Sequence, residues 1–378
     1  IDERVFSDAK AFRQKYVNVE NEEIRNVFLK AKLQQFCKRT LRKQVVEYVP
    51  YTKREAILTE YDPSPDEERL YNDVSTYLQS EVLYALPNSQ RKLMTMILRK
   101  LLASSSFAIS GTLDSLVARL EGLLNGFDEE LNLSDYDTFE ELMDEAEVSE
   151  DDVRIDIAKE RQAVARELEQ VKQFATLAKS IKTNAKGQNL LTALQKGFDK
   201  TESLGGKRKA VIFTESRRTQ EYLFHLLSSN GFEGKIVFLN GSNSDANSKQ
   251  IYKDWTLRHQ GEDIVSGSRQ ADMKAAVVEE FRTNAEILIG TEAAAEGINL
   301  QFCSLLVNYD MPWNPQRIEQ RIGRCHRYGQ KNDVVVLNFV NKKNEADKRV
   351  YELLNEKFKL FDGLFGSSDE VLGSIESG

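Results

Sequence analysis

From about residue 186 onward, short apolar runs alternate with segments of helical periodicity. That alternation constrains the fold more than any other feature of the chain. The runs are Ala210–Phe213, Ile236–Leu239, Ile287–Gly290, Leu305–Tyr309 and Val334–Phe339. Strands that are apolar along both faces must be covered on both. The helical segments between them supply the cover and the crossovers that parallel strands require. The pattern predicts an α/β domain, a parallel sheet with helices on both faces. Ligands of such sheets bind beyond the carboxyl ends of the strands.

The region before this domain has a different texture. Residues 1–54 read as mixed structure with a basic tail, and Ala56–Tyr61 is a candidate strand. Asp62-Pro63-Ser64-Pro65 is a helix start, with Glu67 and Glu68 in the first turn. Helices are expected over 65–86 and 88–106, continuing from Asp114 to Leu124. Val164, Leu168, Val171, Phe174, Leu177 and Ile181 repeat at helical spacing within 157–182. The expected organisation is therefore 1–54, a helical module 55–182, the α/β domain 183–344, and a last helix with a loop-like tail, 345–378. Residues 240–272, rich in Asn, Ser and Asp, read as an insertion with a helix from Gln250 to His259.

Charge is unevenly placed. The net of −8 argues weakly against nucleic acid. Yet Asn26 to Arg54 holds eight Lys or Arg against Glu47, and Glu121 to Asp156 holds fifteen acids against Arg154. The acidic stretch 121–156 is a candidate surface for a protein partner. Cys37, Cys303 and Cys325 have no paired spacing, and the three histidines are scattered, so neither a disulfide framework nor a metal cluster is expected. No apolar run approaches the roughly 18 residues of a membrane span. With no leader pattern the expected location is cytoplasmic, and without an initiator methionine the chain reads as a piece of something longer.

Four segments carry candidate chemistry. Gln316 to Gln330 is predicted as a helix opened by Pro315 and stopped by Gly329. Ile318, Ile322 and Cys325 form its apolar stripe. Gln316, Gln320, Arg324 and Arg327 lie opposite, with Arg317 and Arg321 flanking. Guanidinium groups so presented suit phosphate oxygens, although a solvated basic face gives the same pattern. Thr214–Arg218 follows a strand, and its Ser216 and Arg217 could hold a backbone phosphate or merely cap the next helix. Thr291–Gln301 follows another strand. Thr291 offers a hydroxyl, Glu296 a carboxylate and Gly297 a tight turn, and close helix–strand packing would look the same. Asp310–Pro315 contains Trp313 and Asn314, either a loop anchor or a link from the arginine helix to a groove.

Two lookalikes fail. Asp144-Glu145-Ala146-Glu147 resembles a magnesium-binding acid box but follows an acidic helical segment rather than a buried strand. Gly205-Gly206-Lys207-Arg208 lacks the spacing of a phosphate loop, and its lysine precedes a strand instead of opening a helix. The chain has phosphate-reaching arginines without a phosphate cradle or a metal site of its own.

This combination resembles the second half of the motor in Swi/Snf-type superfamily-two helicase-like ATPases, most closely their bacterial RapA-like branch. Gln320 to Gln330 is similar to the family's motif VI, Thr291 to Gln301 to motif V, and Val211 to Arg218 to motif IV. Phe36 to Arg42 resembles the connector leaving a first lobe, and Tyr61 to Ile109 the helical region after it. Ala294 and Ala295 depart from the glycines common in eukaryotic relatives. The resemblance implies two RecA-like lobes with ATP and Mg2+ between them, held mainly by a first lobe absent here. It implies a nucleic-acid track, double-stranded DNA with RNA as the alternative. Arg324 and Arg327 would be arginine fingers, with Gln320, Glu296 and Gly297 at the nucleotide. Thr291, Arg217 and Ser216 would touch nucleic acid, and Asp310, Trp313 and Asn314 would couple the two sites. The chain alone would hydrolyse no ATP. Alternatives are a module docking RNA polymerase or a repair or defence protein, and a passive nucleic-acid-binding domain.

Overall fold

The computed structural model describes residues 52–86, 91–126, 157–291, 295, 297–312, 315–341, 343 and 352. All lie in the compact unit Tyr51–Gly378; a separate unit, Ile1–Pro50, lies outside the described residues. So do most of the acidic stretch, Glu296, Trp313, Asn314 and nearly all of the last helix and tail.

Six strands form one parallel sheet: β1 (Arg54–Tyr61), β2 (Ala210–Thr214), β3 (Ile236–Leu239), β4 (Ile287–Thr291), β5 (Leu305–Asn308) and β6 (Val334–Asn341). Their spatial order is β1-β6-β5-β2-β4-β3. The chain leaves β2 toward the β3 edge, returns to β4, then crosses to β5. The carboxyl ends of β2, β4 and β5 thus surround the point where strand order reverses, the usual crevice for a ligand.

The alternation along each strand sorts cleanly onto two faces. Val211, Phe213, Leu288, Leu306 and Val336 face one core with α8 (Arg269–Thr283) and α9 (Pro315–Cys325). Ala210, Ile212, Ile289, Val307 and Leu337 face the other, covered by α5 (Ala185–Ser203) and α6 (Arg217–Leu227). Burial of both faces is why these strands read as unbroken apolar runs.

Residues 55–61, expected within the helical module, belong instead to the sheet. The whole of β1 pairs with β6 from Arg54 against Val334 to Tyr61 against Asn341. A strand so far from its partner in sequence carries no local sign of where it docks.

A third core lies in the helices α1 (Pro65–Tyr77), α2 (Arg91–Ser104), α3 (Ser106–Asn125) and α4 (Ile157–Ser180). Val74, Ile97, Leu113, Leu116, Val164 and Val171 meet in it. Ser64 and Glu67 close a capping box at the start of α1, which is the start predicted from Asp62–Pro65. That helix stops at Tyr77, well before residue 86, because the next turn is held from outside. The buried Glu167 carboxylate of α4 accepts hydrogen bonds from Tyr77 Oη at 2.7 Å, Tyr84 N at 2.9 Å and Ala85 N at 3.0 Å.

The stretch 240–272 is not a loose insertion. It carries α7 (Ala246–Arg258), capped by Asp245, whose Trp255 is fully buried. Trp255 Nε1 donates to Glu279 Oε2 of α8 at 3.0 Å, and Arg258 pairs with the same carboxylate at 2.9 Å.

Candidate functional site

The arginine helix α9 docks through Ile318, Ile322 and Cys325, all fully buried, on the stripe predicted for it. It ends at Cys325, however, and not at Gly329. His326 takes the chain out of the helix because both its ring nitrogens are engaged. Arg54 Nε donates to His326 Nδ1 at 2.9 Å, and His326 Nε2 donates to Thr52 O at 2.6 Å. These contacts define a neutral ring protonated on Nε2. Arg54 also pairs with Glu319 at 2.7 Å, so strand β1 and α9 are fastened at two points.

Residues of this segment divide into those that fasten and those that present. Arg321 is 2% exposed, donates to Asp310 O at 2.6 Å and Asn308 Oδ1 at 3.2 Å, and lies over the Phe213 ring. It is a structural arginine and offers nothing to solvent. Gln330 is buried too, donating to Cys303 O and Cys325 O, both at 3.1 Å, and accepting from Lys331 N and Asn332 N. In contrast Gln320 and Arg327 are exposed and Arg324 half-buried. Arg327 stands in the turn after α9, where its backbone N–H bonds to Cys325 O.

Gly297 comes close to this turn through the loop that follows it. Leu300 N donates to Arg324 O at 2.9 Å, and Gln301 Nε2 to Tyr328 O at 2.6 Å. Gly297 has φ +77° and open space around it, so the backbone turn, not crowding, calls for glycine. Glu296 lies outside the described residues.

The other predicted contacts look different in place. Ser216 is fully buried at the start of α6, and its hydroxyl makes no hydrogen bond among the described residues. Thr291 is 1% exposed at the end of β4. Neither side chain has surface to offer a nucleic-acid backbone in this conformation. Arg217 is half-buried beside them.

Asp310 is the largest surprise. It is 7% exposed and works as a knot rather than as a surface link. Its Oδ1 accepts from Lys186 Nζ at 2.7 Å, and its Oδ2 from Ser104 Oγ at 2.7 Å, Thr214 Oγ1 at 2.6 Å and Glu215 N at 3.1 Å. Burial pushes its carboxyl up, but Lys186 and the two hydroxyls outweigh burial and hold it below the usual carboxylate range. Four segments meet here: the end of α2, the start of α5, β2 with its loop, and β5. Nearby, Lys100 pairs with Glu215 at 3.2 Å, and Ser104 Oγ lies 2.8 Å from Thr219 Oγ1. Phe107 stacks on Tyr222 at 4.4 Å, and Gly111 of α3 leaves room for the Arg218 guanidinium. The helical module is thereby keyed to α6. Trp313 and Asn314 lie outside the described residues.

Among the described residues, no group of three or more His, Cys, Asp or Glu could hold a metal, and no helix is long and apolar enough to cross a membrane.

Residues 189–329 match the helicase conserved C-terminal domain, and the three motif segments lie on one parallel sheet and its helices, at β2, after β4 and on α9 and the turn after it. The relatives that the chain resembles include proteins named as an ATP-dependent helicase and as RapA. The chain is 35% identical over 218 residues to the uncharacterized ATP-dependent helicase YqhH of Bacillus subtilis (strain 168), covering 58% of this chain and 32% of that one. It is 42% identical over 81 residues to the RNA polymerase-associated protein RapA of Vibrio cholerae serotype O1 (strain M66-2), covering 21% of this chain and 8% of RapA. Aligned regions thus span a third or less of these relatives' lengths. A solved structure, the C-terminal part of the Fun30 ATPase domain, aligns with a TM-score of 0.42 and 16% identity over 86% of this chain and 97% of that one.

Proposed function

We propose that the chain is the second motor lobe of an ATP-driven double-stranded DNA translocase, and that Arg324 and Arg327 are its arginine fingers. The observation that carries this reading is the division within the α9 segment. Arg321, His326, Gln330 and the isoleucines are consumed in holding the segment still, while Gln320, Arg324 and Arg327 are left at or near the surface. Phosphoryl transfer asks for positioned positive charge more than for covalent chemistry, and an arginine finger is worth about 10³–10⁵ in rate. Bound ATP with Mg2+ would bring the triphosphate; this lobe would bring guanidinium groups on a rigid mount. Gly297 and Glu296 would stand at the nucleotide edge, and Arg217 at the nucleic-acid backbone. Relatives named ATP-dependent helicases support ATP use and a nucleic-acid track.

Arg324→Ala in the intact protein should lower DNA-stimulated turnover by about 10³-fold or more while ATP binding persists. Turnover at the normal rate would remove the assignment. Greater stimulation by RNA than by duplex DNA would keep the motor and change its track. A second reading is docking of a protein such as RNA polymerase on the helical module, supported by the name of the RapA relatives and by the acidic stretch 121–156.

A further inference from the structure

The motor reading leaves a recess at the amino edge of the sheet without a role. It measures about 360 Å³. Lys207 stands in its wall just ahead of β2, Phe302 just ahead of β5, Lys331 just ahead of β6, and Arg282 in the last turn of α8. Lys207 is the lysine whose surroundings failed as a phosphate loop. β2 is five residues long, so roughly 17 Å of strand separates this edge from the carboxyl edge, where Ser216, Arg217 and Thr291 lie.

The charge of the recess is of one sign. None of its lining residues is acidic, and Lys207, Arg282 and Lys331 are exposed and in no ion pair among the described residues. Close by, buried Lys209 adds another ammonium. It donates to two backbone carbonyls, Phe281 O at 2.8 Å and Ala285 O at 2.6 Å, rather than to an acid. Arg208 and Lys235 by contrast do find a carboxylate, sharing Glu286 at 3.4 and 2.6 Å. In a chain of net charge −8, cations gathered around one recess without acids leave a focused positive field.

Aromatic surface accompanies the charge. The Arg282 guanidinium lies over the half-buried Phe302 ring, 5.0 Å from its centroid, and Phe281 supports that ring at 5.3 Å. Tyr328, next to Gly329 of the wall, is 70% exposed. Arginine and aromatic rings side by side are what protein interfaces concentrate. Nucleic acid fits this place less well, because its proposed contacts lie at the other edge of the sheet.

The walls are set before any partner arrives. Gln330 accepts from Lys331 N at 2.9 Å and Asn332 N at 3.1 Å, which fixes the segment ahead of β6. Gln301 Nε2 donates to Tyr328 O at 2.6 Å and ties the segment ahead of β5 to the turn after α9. Gly329 in that turn takes φ +96°, which favours glycine. A surface already ordered loses little freedom when it binds.

We propose that this recess docks an acidic segment of a partner protein, whose carboxylates pair with Lys207, Arg282 and Lys331 while an apolar side chain packs on Tyr328. The amide side chains of Asn299 and Asn332, also in the lining, suit the partner's peptide groups. The assignment needs neither nucleotide nor nucleic acid, so it stands apart from the motor reading.

The test uses the full chain and two fluorescein-labelled ten-residue peptides, one all glutamate and one with two central leucines, followed by anisotropy. The unaltered chain should bind both, the leucine-bearing peptide more tightly, and both less as salt rises. Lys207→Ala/Arg282→Ala/Lys331→Ala should weaken both by about tenfold, the combined effect of three exposed ion pairs. Tyr328→Ala should erase the preference for leucine. Lys249→Ala/Arg269→Ala/Lys274→Ala removes equal charge at the carboxyl edge and should leave both affinities nearly unchanged. Equal weakening by the two triple variants would mean attraction without a site and overturns the proposal. Failure of the unaltered chain to bind either peptide, or equal affinity for the two, overturns it as well. A labelled duplex of mixed sequence supplies the last arm: if the amino-edge variant loses more affinity for the duplex than for the peptides, the recess serves nucleic acid and the proposal is overturned.

Discussion

The knot at Asp310 and the hollow between the loop after β3 and the start of α8, lined by Asn240–Ser244, Lys249, Arg269 and Lys274 among others, both gather charge near the carboxyl edge of one sheet, and they are built in opposite ways. At Asp310 both carboxylate oxygens are occupied, by an ammonium, two hydroxyls and a backbone N–H, nearly out of solvent. In the hollow, Lys249 and Arg269 are exposed and Lys274 half-buried, and none of the three is in an ion pair among the described residues. A buried charge left unpaired is very costly, so the first arrangement has to be complete before the fold is stable. An exposed cation costs little to leave alone, and is then available to something outside the molecule. Polar residues close together therefore have two meanings, and burial with partners tells them apart.

The largest expected effect comes from breaking the saturated side. Asp310→Ala strands Lys186 in the interior and should cost about 3–5 kcal/mol, read by denaturant unfolding. A loss below about 1 kcal/mol would mean that the knot is slack. The same carboxylate gives a pH signature. Its folded pKa is depressed, so its contribution is fully present above the ordinary aspartate range near pH 4 and disappears as pH falls through the lower, folded value. Acid titration of the unaltered chain should lose stability there, and the Asp310→Ala profile should be flatter.

A smaller loss is expected at the fastening between β1 and α9. Glu319→Ala removes the partner of Arg54, whose side chain is 2% exposed against 15% for Glu319. Because water can reach the vacated side, about 1–3 kcal/mol is expected from the melting temperature. The smallest effect belongs to the presenting side. Arg327→Ala should change stability by no more than about 0.5 kcal/mol, whereas the proposed finger role expects turnover of the intact protein to fall. A destabilisation as large as that of Glu319→Ala would place Arg327 among the fasteners.

Periodicity made most of the sheet readable. The interior strands are apolar but for Asn308, Asn338 and residues at the strand ends, and the stripe of Ile318, Ile322 and Cys325 placed α9 on its core. What could not be read was partnership at long range. Tyr61 sits beside Asn341 in the sheet, and Ser104, Lys186, Thr214 and Asp310 meet from four separate segments. No spacing rule links such positions. Arg321 and Arg324 are three apart in one motif and chemically alike, yet one is sealed against Phe213 and the other half-open. Nor could composition show that 240–272 is pinned down, by the buried Trp255 among other contacts. In a stretch dominated by Asn, Ser and Asp, that tryptophan was the available clue.

One pairing has a practical side. Val334–Asn341 is nearly all apolar, and β1 covers its outer rim along its full length. A shortened protein cut to begin near residue 189, where the recognised domain starts, would lose that cover. It would then expose bare amide and carbonyl groups on a sticky ribbon, an open template for strand-to-strand aggregation. Soluble preparations of the lobe should therefore retain residues from Thr52 onward.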